Sequence, residues 1–307
     1  MSEYHQPVLL HESLDQLALR PDGVYVDVTF GGGGHSRALL ERLGRRGRLV
    51  AFDQDADALE NAPDDPRLVL IHNNFRFLRS CVRAAGFDHV DGILADLGVS
   101  SHHFDTPSRG FSFRFDGPLD MRMNQHGSSK TAAELLNTYD PARLATLFGR
   151  YGELDKCYRV ANAIVRYRET AGPFARIDDL LRATESVTPR GGEARFRARL
   201  FQALRIEVNG EMQALEMMLF QAIRLLRPGG RLSVITYHSL EDRLAKNFMR
   251  SGTPDGIVQR DFYGRSSTPV VPVGKVILPT AAEIDLNPRA RSAKLRVAER
   301  TGQQIRP

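Results

Sequence analysis

Residues Val24-Tyr-Val-Asp-Val-Thr-Phe-Gly-Gly-Gly-Gly-His-Ser-Arg-Ala-Leu-Leu40 constrain this chain more than any other stretch. Val24, Val26 and Val28 are β-branched and flank Tyr25, as a strand buried on both faces requires. Gly31 to Gly34 then remove every Cβ where the backbone must turn sharply and let a ligand approach. His35-Ser36 opens a helix whose Ala38, Leu39, Leu40 and Leu43 face the sheet. The next strand, Leu49 to Phe52, ends on Asp53, 19 residues beyond Gly34. In a nucleotide-binding βαβ unit a carboxylate there accepts ribose hydroxyls. The bland alternative is a tight turn followed by a solvated Asp53.

The loop also discriminates between nucleotides. Asp27 stands four residues before Gly31, giving Asp-x-x-x-Gly-x-Gly. A carboxylate there suits the cationic amino-acid end of S-adenosylmethionine and would repel a pyrophosphate. The dehydrogenase pattern Gly-x-Gly-x-x-Gly fails, because Ser36 occupies its last position. The expected fold is therefore α/β, a Rossmann-like sheet of the class I S-adenosylmethionine-dependent methyltransferase type.

Further strands extend the pattern. Pro7 to Leu10 reads as extended, and a short helix carrying Leu14 and Leu17 follows it at the mouth of the site. Leu68 to Ile71 predicts a third strand, after which Phe75 is either an adenine contact or a core residue. Val90 to Ala95 predicts a fourth, ending on Asp96, which points at the same cleft because ligands bind at the carboxyl ends of such strands. A carboxylate buried there without function would be costly. Glu211 to Arg227 is amphipathic. Arg231 to Thr236 predicts a fifth strand, and Tyr237-His-Ser-Leu-Glu-Asp-Arg243 opens a helix. Ile257 to Tyr263 and Val270 to Ile277 are expected to pair as final strands, with Asn287 to Arg296 a basic tail.

Residues 107–207 have a different texture. The chain carries 42 Lys/Arg against 37 Asp/Glu, and this segment alone holds 17 against 12, so it contains the whole positive excess. Arg109 to Met123 interleaves Arg, Phe and Gly without a period, which suits base stacking and phosphate contacts. Thr131–Asn137, Pro141–Tyr151, Asp155–Thr170, Ile177–Ser186 and Glu193–Leu204 read as helices, with Arg190, Arg195, Arg197, Arg199 and Arg205 near their end. The expected organisation is a catalytic domain split into 1–106 and 208–307 around an all-helical insert, 107–207, that meets a polyanion.

Cys81 and Cys157 form neither a metal-ligand pair nor a disulfide framework, which fits a reducing, cytoplasmic setting and predicts no metal. No apolar run approaches the roughly 20 residues needed to span a membrane. The N-terminus lacks a basic region followed by an apolar core and reads as part of the mature fold. Nothing in the sequence speaks to oligomeric state.

Seven blocks together resemble the RsmH (MraW) family: Thr29 to Ser36, Asp96 to Ser101, Arg109 to Phe113, Gly117 to Met123, Phe201 to Ile206, Tyr237 to Arg243 and Asn287 to Ser292. The resemblance runs nearly end to end. It implies a methyltransferase acting on N4 of a cytidine in the decoding centre of 16S ribosomal RNA, with 16S rRNA or the small ribosomal subunit as partner. It further implies that Gly33, Gly34, His35, Asp53, Phe75, Asp96 and His103 hold the donor. The chain departs from the family pattern at Gly32, where Arg is usual, at His103, where Gln is usual, and at Tyr237, where Phe is usual.

An exocyclic cytosine amine is a weak nucleophile, so positioning and an acceptor for its N–H are needed. Asp96 suits that role or a donor-holding one. Ser100, Ser101, Asn209 and His238 are candidate contacts to the cytosine edge, although His238 equally suits a strand-end histidine satisfied by backbone. A C5-cytosine methyltransferase needs a thiolate, and neither cysteine lies after the fourth strand. A non-enzymatic RNA-binding factor would leave Asp27, Asp53 and Asp96 unexplained.

Overall fold

In the computed structural model, which describes residues 7–127, 129–258, 260, 264 and 268–303, strands and helices alternate up to Asp96. Helix α1 (Leu10–Gln16) is followed by β1 (Val24–Asp27), α2 (Gly34–Arg42), β2 (Arg48–Asp53), α3 (Ala56–Leu59), β3 (Leu68–His72), α4 (Leu78–Ala84) and β4 (Val90–Asp96). Then come α5 (Ser101–Asp105), α6 (Ala132–Thr138), α7 (Pro141–Gly152), α8 (Cys157–Thr170), α9 (Ile177–Thr184) and α10 (Glu193–Asn209). Helix α11 (Glu211–Leu225), β5 (Leu226–Thr236), α12 (Ser239–Ser251), β6 (Val270–Pro272), α13 (Ala281–Leu286) and β7 (Lys294–Arg300) follow. The chain forms two compact units, Met1–Gly98 with Met212–Pro307, and Val99–Glu211.

The first unit is built on a seven-stranded sheet of order β3-β2-β1-β4-β5-β7-β6. Strands β1 to β5 are parallel, and β7 runs antiparallel to both β5 and β6. Helices cover both faces, so the strands are apolar on both sides. Tyr25, Leu49 and Leu94 pack on one face with Leu14, Leu17 and Leu39. Val26, Val50, Ile93 and Val234 pack on the other with Val82, Met218, Leu219 and Phe248. Strand order reverses between β1 and β4, the point at which an open α/β sheet forms a crevice at its carboxyl edge.

The C-terminal strands differ from the sequence expectation. Val270–Pro272 is a strand, but its partner is Lys294–Arg300, whose first three residues fall in the stretch that composition alone marked as a basic tail, Asn287 to Arg296. Leu295 and Val297 are buried between charged neighbours, and this period of two carries the strand despite Lys294 and Arg296. Ile257 and Val258 lie outside any strand, and most of the remainder of that expected strand lies outside the described residues.

In the second unit, among the described residues, extended pairing is limited to one bridge between Pro118 and Arg176. Local signals set its helices. Thr131 and Glu134 form a reciprocal capping box at α6, and Asp140 caps α7 ahead of Pro141. Leu144, Phe148, Leu200 and Leu204 are buried. The boundaries drawn from composition at 107 and 207 fall inside this unit, because α5 and the last turn of α10 belong to it.

Candidate active site

Sheet order sets the layout of the first unit's carboxyl edge. Phe75 follows β3, Asp53 ends β2, the glycine loop follows β1, Asp96 ends β4 and Tyr237 follows β5. Adjacent strands therefore deliver these residues side by side along one crevice.

The glycine loop is shaped from both sides. Gly33 caps α2 in the left-handed region (φ 75°), and a Cβ there would meet the Phe30 ring at 2.8 Å. A Cβ on Gly31 would meet no protein atom within 4 Å, so the backbone there borders open space. Asp53 Oδ2 accepts the Gly31 N–H at 2.8 Å and its Oδ1 accepts the Asp55 N–H at 2.9 Å. The carboxylate is thereby fixed at the loop's edge. Phe75 is half-buried against the sheet core.

Asp27 acts from within. It is fully buried, and its carboxylate accepts the Ser36 hydroxyl at 2.7 Å and the Thr29 N–H at 3.0 Å. Burial pushes its carboxyl up against the opposing pull of those bonds. Asp27 therefore ties strand end, loop and helix together, where sequence alone pointed to a direct charge contact with the donor. Ser36 and Thr29, which the sequence did not single out, complete this clasp.

Asp96 sits at the centre of the crevice's charged groups. Burial pushes its carboxyl up to about 6, opposed by the His35 imidazole and by a hydrogen bond from Tyr237. Tyr237 Oη donates to Asp96 Oδ1 at 2.7 Å, and His35 Nδ1 lies 3.7 Å from Oδ2. The Asp96 N–H donates to Thr29 Oγ1 at 2.7 Å. Burial lowers the His35 imidazole, with Asp96 opposing. Burial and the Asp96 charge push the Tyr237 phenol well up, so it stays protonated as a donor. Asp96 nevertheless keeps 23% of its side chain accessible, which suits a group that accepts a proton from a ligand.

His238 follows Tyr237 as the N-cap of α12. Its Nδ1 accepts the Glu241 N–H at 3.5 Å, and its Nε2 lies 3.1 Å from Glu241 Oε1. The Glu241 side chain is buried and that of His238 nearly so. The ring thus meets backbone through Nδ1 only, while Nε2 faces the Glu241 carboxylate and has no hydrogen-bond partner among the described residues.

The remaining expected site residues belong to the second unit. Ser100 caps α5, and His103 Nδ1 lies 2.8 Å from Ser100 Oγ. The His103 ring packs edge-on against Phe111, 4.8 Å between centroids. The Ser101 side chain lies outside the described set. Asn209 Oδ1 accepts the Met123 N–H, and its Nδ2 donates to the Met121 and Arg205 carbonyls, each at 2.8 Å. Its amide thus fastens the loop to α10.

Several basic residues of this unit are structural. Arg109 is buried and donates to the Met123 carbonyl at 2.8 Å, and Phe111 is buried as well. Arg205 makes a two-point ion pair with Glu211 at 2.9 Å, and Arg199 donates to the Glu153 carbonyl. Sequence periodicity cannot separate such arginines from surface ones. Arg114, Phe115, Arg190 and Arg195 are exposed.

The antiparallel β7 between β5 and β6 sets this sheet apart from dinucleotide-binding ones. With a glycine loop after β1 and carboxylates ending β2 and β4, the fold and crevice define a class I S-adenosylmethionine-dependent methyltransferase. The profile of the MraW methylase family matches residues 2–301. Over 299 residues the chain is 55% identical to ribosomal RNA small subunit methyltransferase H of Parabacteroides distasonis, covering 97% of both chains. It is 54% identical over 298 residues to the enzyme of that name from Bacteroides thetaiotaomicron, again covering 97% of each. The chain belongs to the MraW methylase family, and S-adenosylmethionine is its methyl donor.

Proposed function

We propose that the protein methylates small-subunit ribosomal RNA in the cytoplasm, at the exocyclic N4 of a cytidine in the decoding centre of 16S rRNA. The relatives' names support the RNA class. The observation that carries the chemistry is Asp96, poised at about 6 between Tyr237 and His35. S-adenosylmethionine supplies an electrophilic sulfonium methyl. Gly33, Gly34 and His35 bound its amino-acid end, Asp53 takes the ribose hydroxyls and Phe75 the adenine. Asp27 acts indirectly, through the loop it clasps.

In this reading Asp96 accepts one N–H of the amine. As the nitrogen gains the methyl carbon, the carbon–sulfur bond breaks and the amine proton passes to Asp96. A carboxyl near 6 is ionised at neutral pH and basic enough for this. Tyr237 holds Asp96 in position. His238 and Asn209, engaged by Glu241 and by loop backbone, position the elements around the base rather than touching it. The helical unit, with exposed Arg114, Phe115 and Arg195, recognises the RNA.

The test is methylation of small subunits from cells lacking this enzyme, with digestion to nucleosides and mass spectrometry. Methyl label on N4-methylcytidine from one 16S position is expected. Label on C5, on another base or on large-subunit RNA overturns the assignment.

A further inference from the structure

A second charged surface lies in the sheet-bearing unit, where α4 and the turn before it meet α11. A groove of about 410 Å³ there is lined by Arg76, Arg79, Arg83 and Arg224, with Phe77 and Met217 beside them and no carboxylate in its wall. Phe77 and Met217 are 47% and 45% exposed, and both line this charged groove. Gln221 sets the groove's width: its Oε1 accepts the Arg79 N–H at 2.9 Å and its Nε2 donates to the Arg76 carbonyl at 2.6 Å. The two walls are therefore fixed before any ligand arrives. Arg83 pairs with Asp88 at 3.1 Å, whereas among the described residues neither Arg79 nor Arg224 has an ion-pair partner.

Core packing does not require four arginines around an exposed phenylalanine. A polyanion with flat apolar faces supplies what Arg79, Arg224 and Phe77 lack: phosphates for those two guanidinium groups and a base for the ring. We propose that this groove binds a single-stranded segment of the substrate RNA, with phosphates on Arg79 and Arg224 and one base stacked on Phe77. The proposal rests on the RNA-methyltransferase reading and adds a contact surface in the sheet-bearing unit to that of the helical one.

The experiment measures binding of a single-stranded oligonucleotide from the 16S decoding region to the full-length protein by fluorescence anisotropy across a salt series. It compares the parent with Arg79→Gln/Arg224→Gln and with Phe77→Ala. All three positions are exposed, so folding should persist, and calorimetry with S-adenosylmethionine checks that the donor site is intact. Losing two phosphate contacts should flatten the slope of log affinity against log salt by about 1.4. Phe77→Ala should weaken binding by about 5-fold to 100-fold with little change in slope. Parent-like affinity and slope in both variants overturn the groove proposal while leaving the enzyme's function intact. No RNA binding by the parent also overturns the groove proposal, while the RNA reading stands or falls on methylation of small subunits. Variants that change sedimentation behaviour without changing RNA binding would reassign the groove to contact between two copies of this chain.

Discussion

The Tyr237 hydroxyl donates a 2.7 Å hydrogen bond to Asp96 Oδ1, linking the residue after β5 to the last residue of β4. This bond favours ionised Asp96 against burial, as does His35, while Asp27 and Glu241 oppose it. Activity that depends on ionised Asp96 should fall as pH drops through about 6. In Tyr237→Phe one stabilising donor is lost, so the carboxyl rises further and the acid limb should move up by about one pH unit. Single-turnover rates at saturating donor should drop several-fold near pH 6.5 and converge with the parent's near pH 8.5. A merely structural tyrosine would lower the rate equally at every pH.

Asp96 is also a site of strain. Its carboxyl ionises less readily in the folded chain than in the unfolded one, so ionisation costs stability above the unfolded value of 3.8 and reaches its full cost above about 6. Asp96→Asn should therefore raise stability at pH 8 by about 1–3 kcal/mol, an advantage that shrinks below pH 6 and vanishes near pH 4. Single-turnover methylation should fall far more than donor affinity does. Thermal unfolding at pH 4 and pH 8, with calorimetry for the donor, checks both. Full recovery of rate at saturating donor would reduce Asp96 to a binding residue.

Asp53 is fixed by the Gly31 and Asp55 N–H groups at the end of β2. Its replacement by Ala should weaken S-adenosylmethionine binding by about 1.5–3 kcal/mol, the usual cost of losing hydrogen bonds to a charged acceptor. The loop loses one tether as well, so calorimetry should be paired with circular dichroism. A folded variant with parent affinity removes Asp53 from the donor site.

Much of the sheet and loop could be read from sequence because each signal is local. Val24 to Asp53 combines strand alternation, consecutive glycines and a spaced carboxylate within 30 residues. What escaped was long-range or chemically ambiguous. Strand β7 pairs with β5 across most of the C-terminal region, and its basic residues obscure its apolar alternation. The side-chain amide of Asn209 looks the same in sequence whether it reads a base or holds a loop 86 residues away. Arg109 and Arg205 likewise count toward a basic segment while serving a buried carbonyl and Glu211. Tyr237 gave the one usable hint, since a hydroxyl at a position where the resembled family has phenylalanine needs a partner, and Asp96 supplies it.

Asn209 is the sharpest case for separating a positioning residue from a base contact. Its amide accepts the Met123 N–H and donates to the Met121 carbonyl, and Met121 itself is held in the left-handed region at φ 62° while fully buried. A buried non-glycine residue keeps that conformation only where its surroundings enforce it. Asn209→Ala removes two of those restraints, so the helical unit should lose about 1–3 kcal/mol and the Met123 amide should exchange with solvent faster. Affinity for S-adenosylmethionine should hold, because the glycine loop, Asp53 and Asp96 belong to the other unit, while methylation of RNA should fall as the loop loosens. Asn209→Asp keeps the acceptor for Met123 but not the donor to Met121, and should recover part of the amide protection. If Asn209 instead contacts the cytosine directly, Asn209→Ala will lower the methylation rate with unfolding and Met123 exchange both unchanged. That pattern would return the residue to the base-binding set.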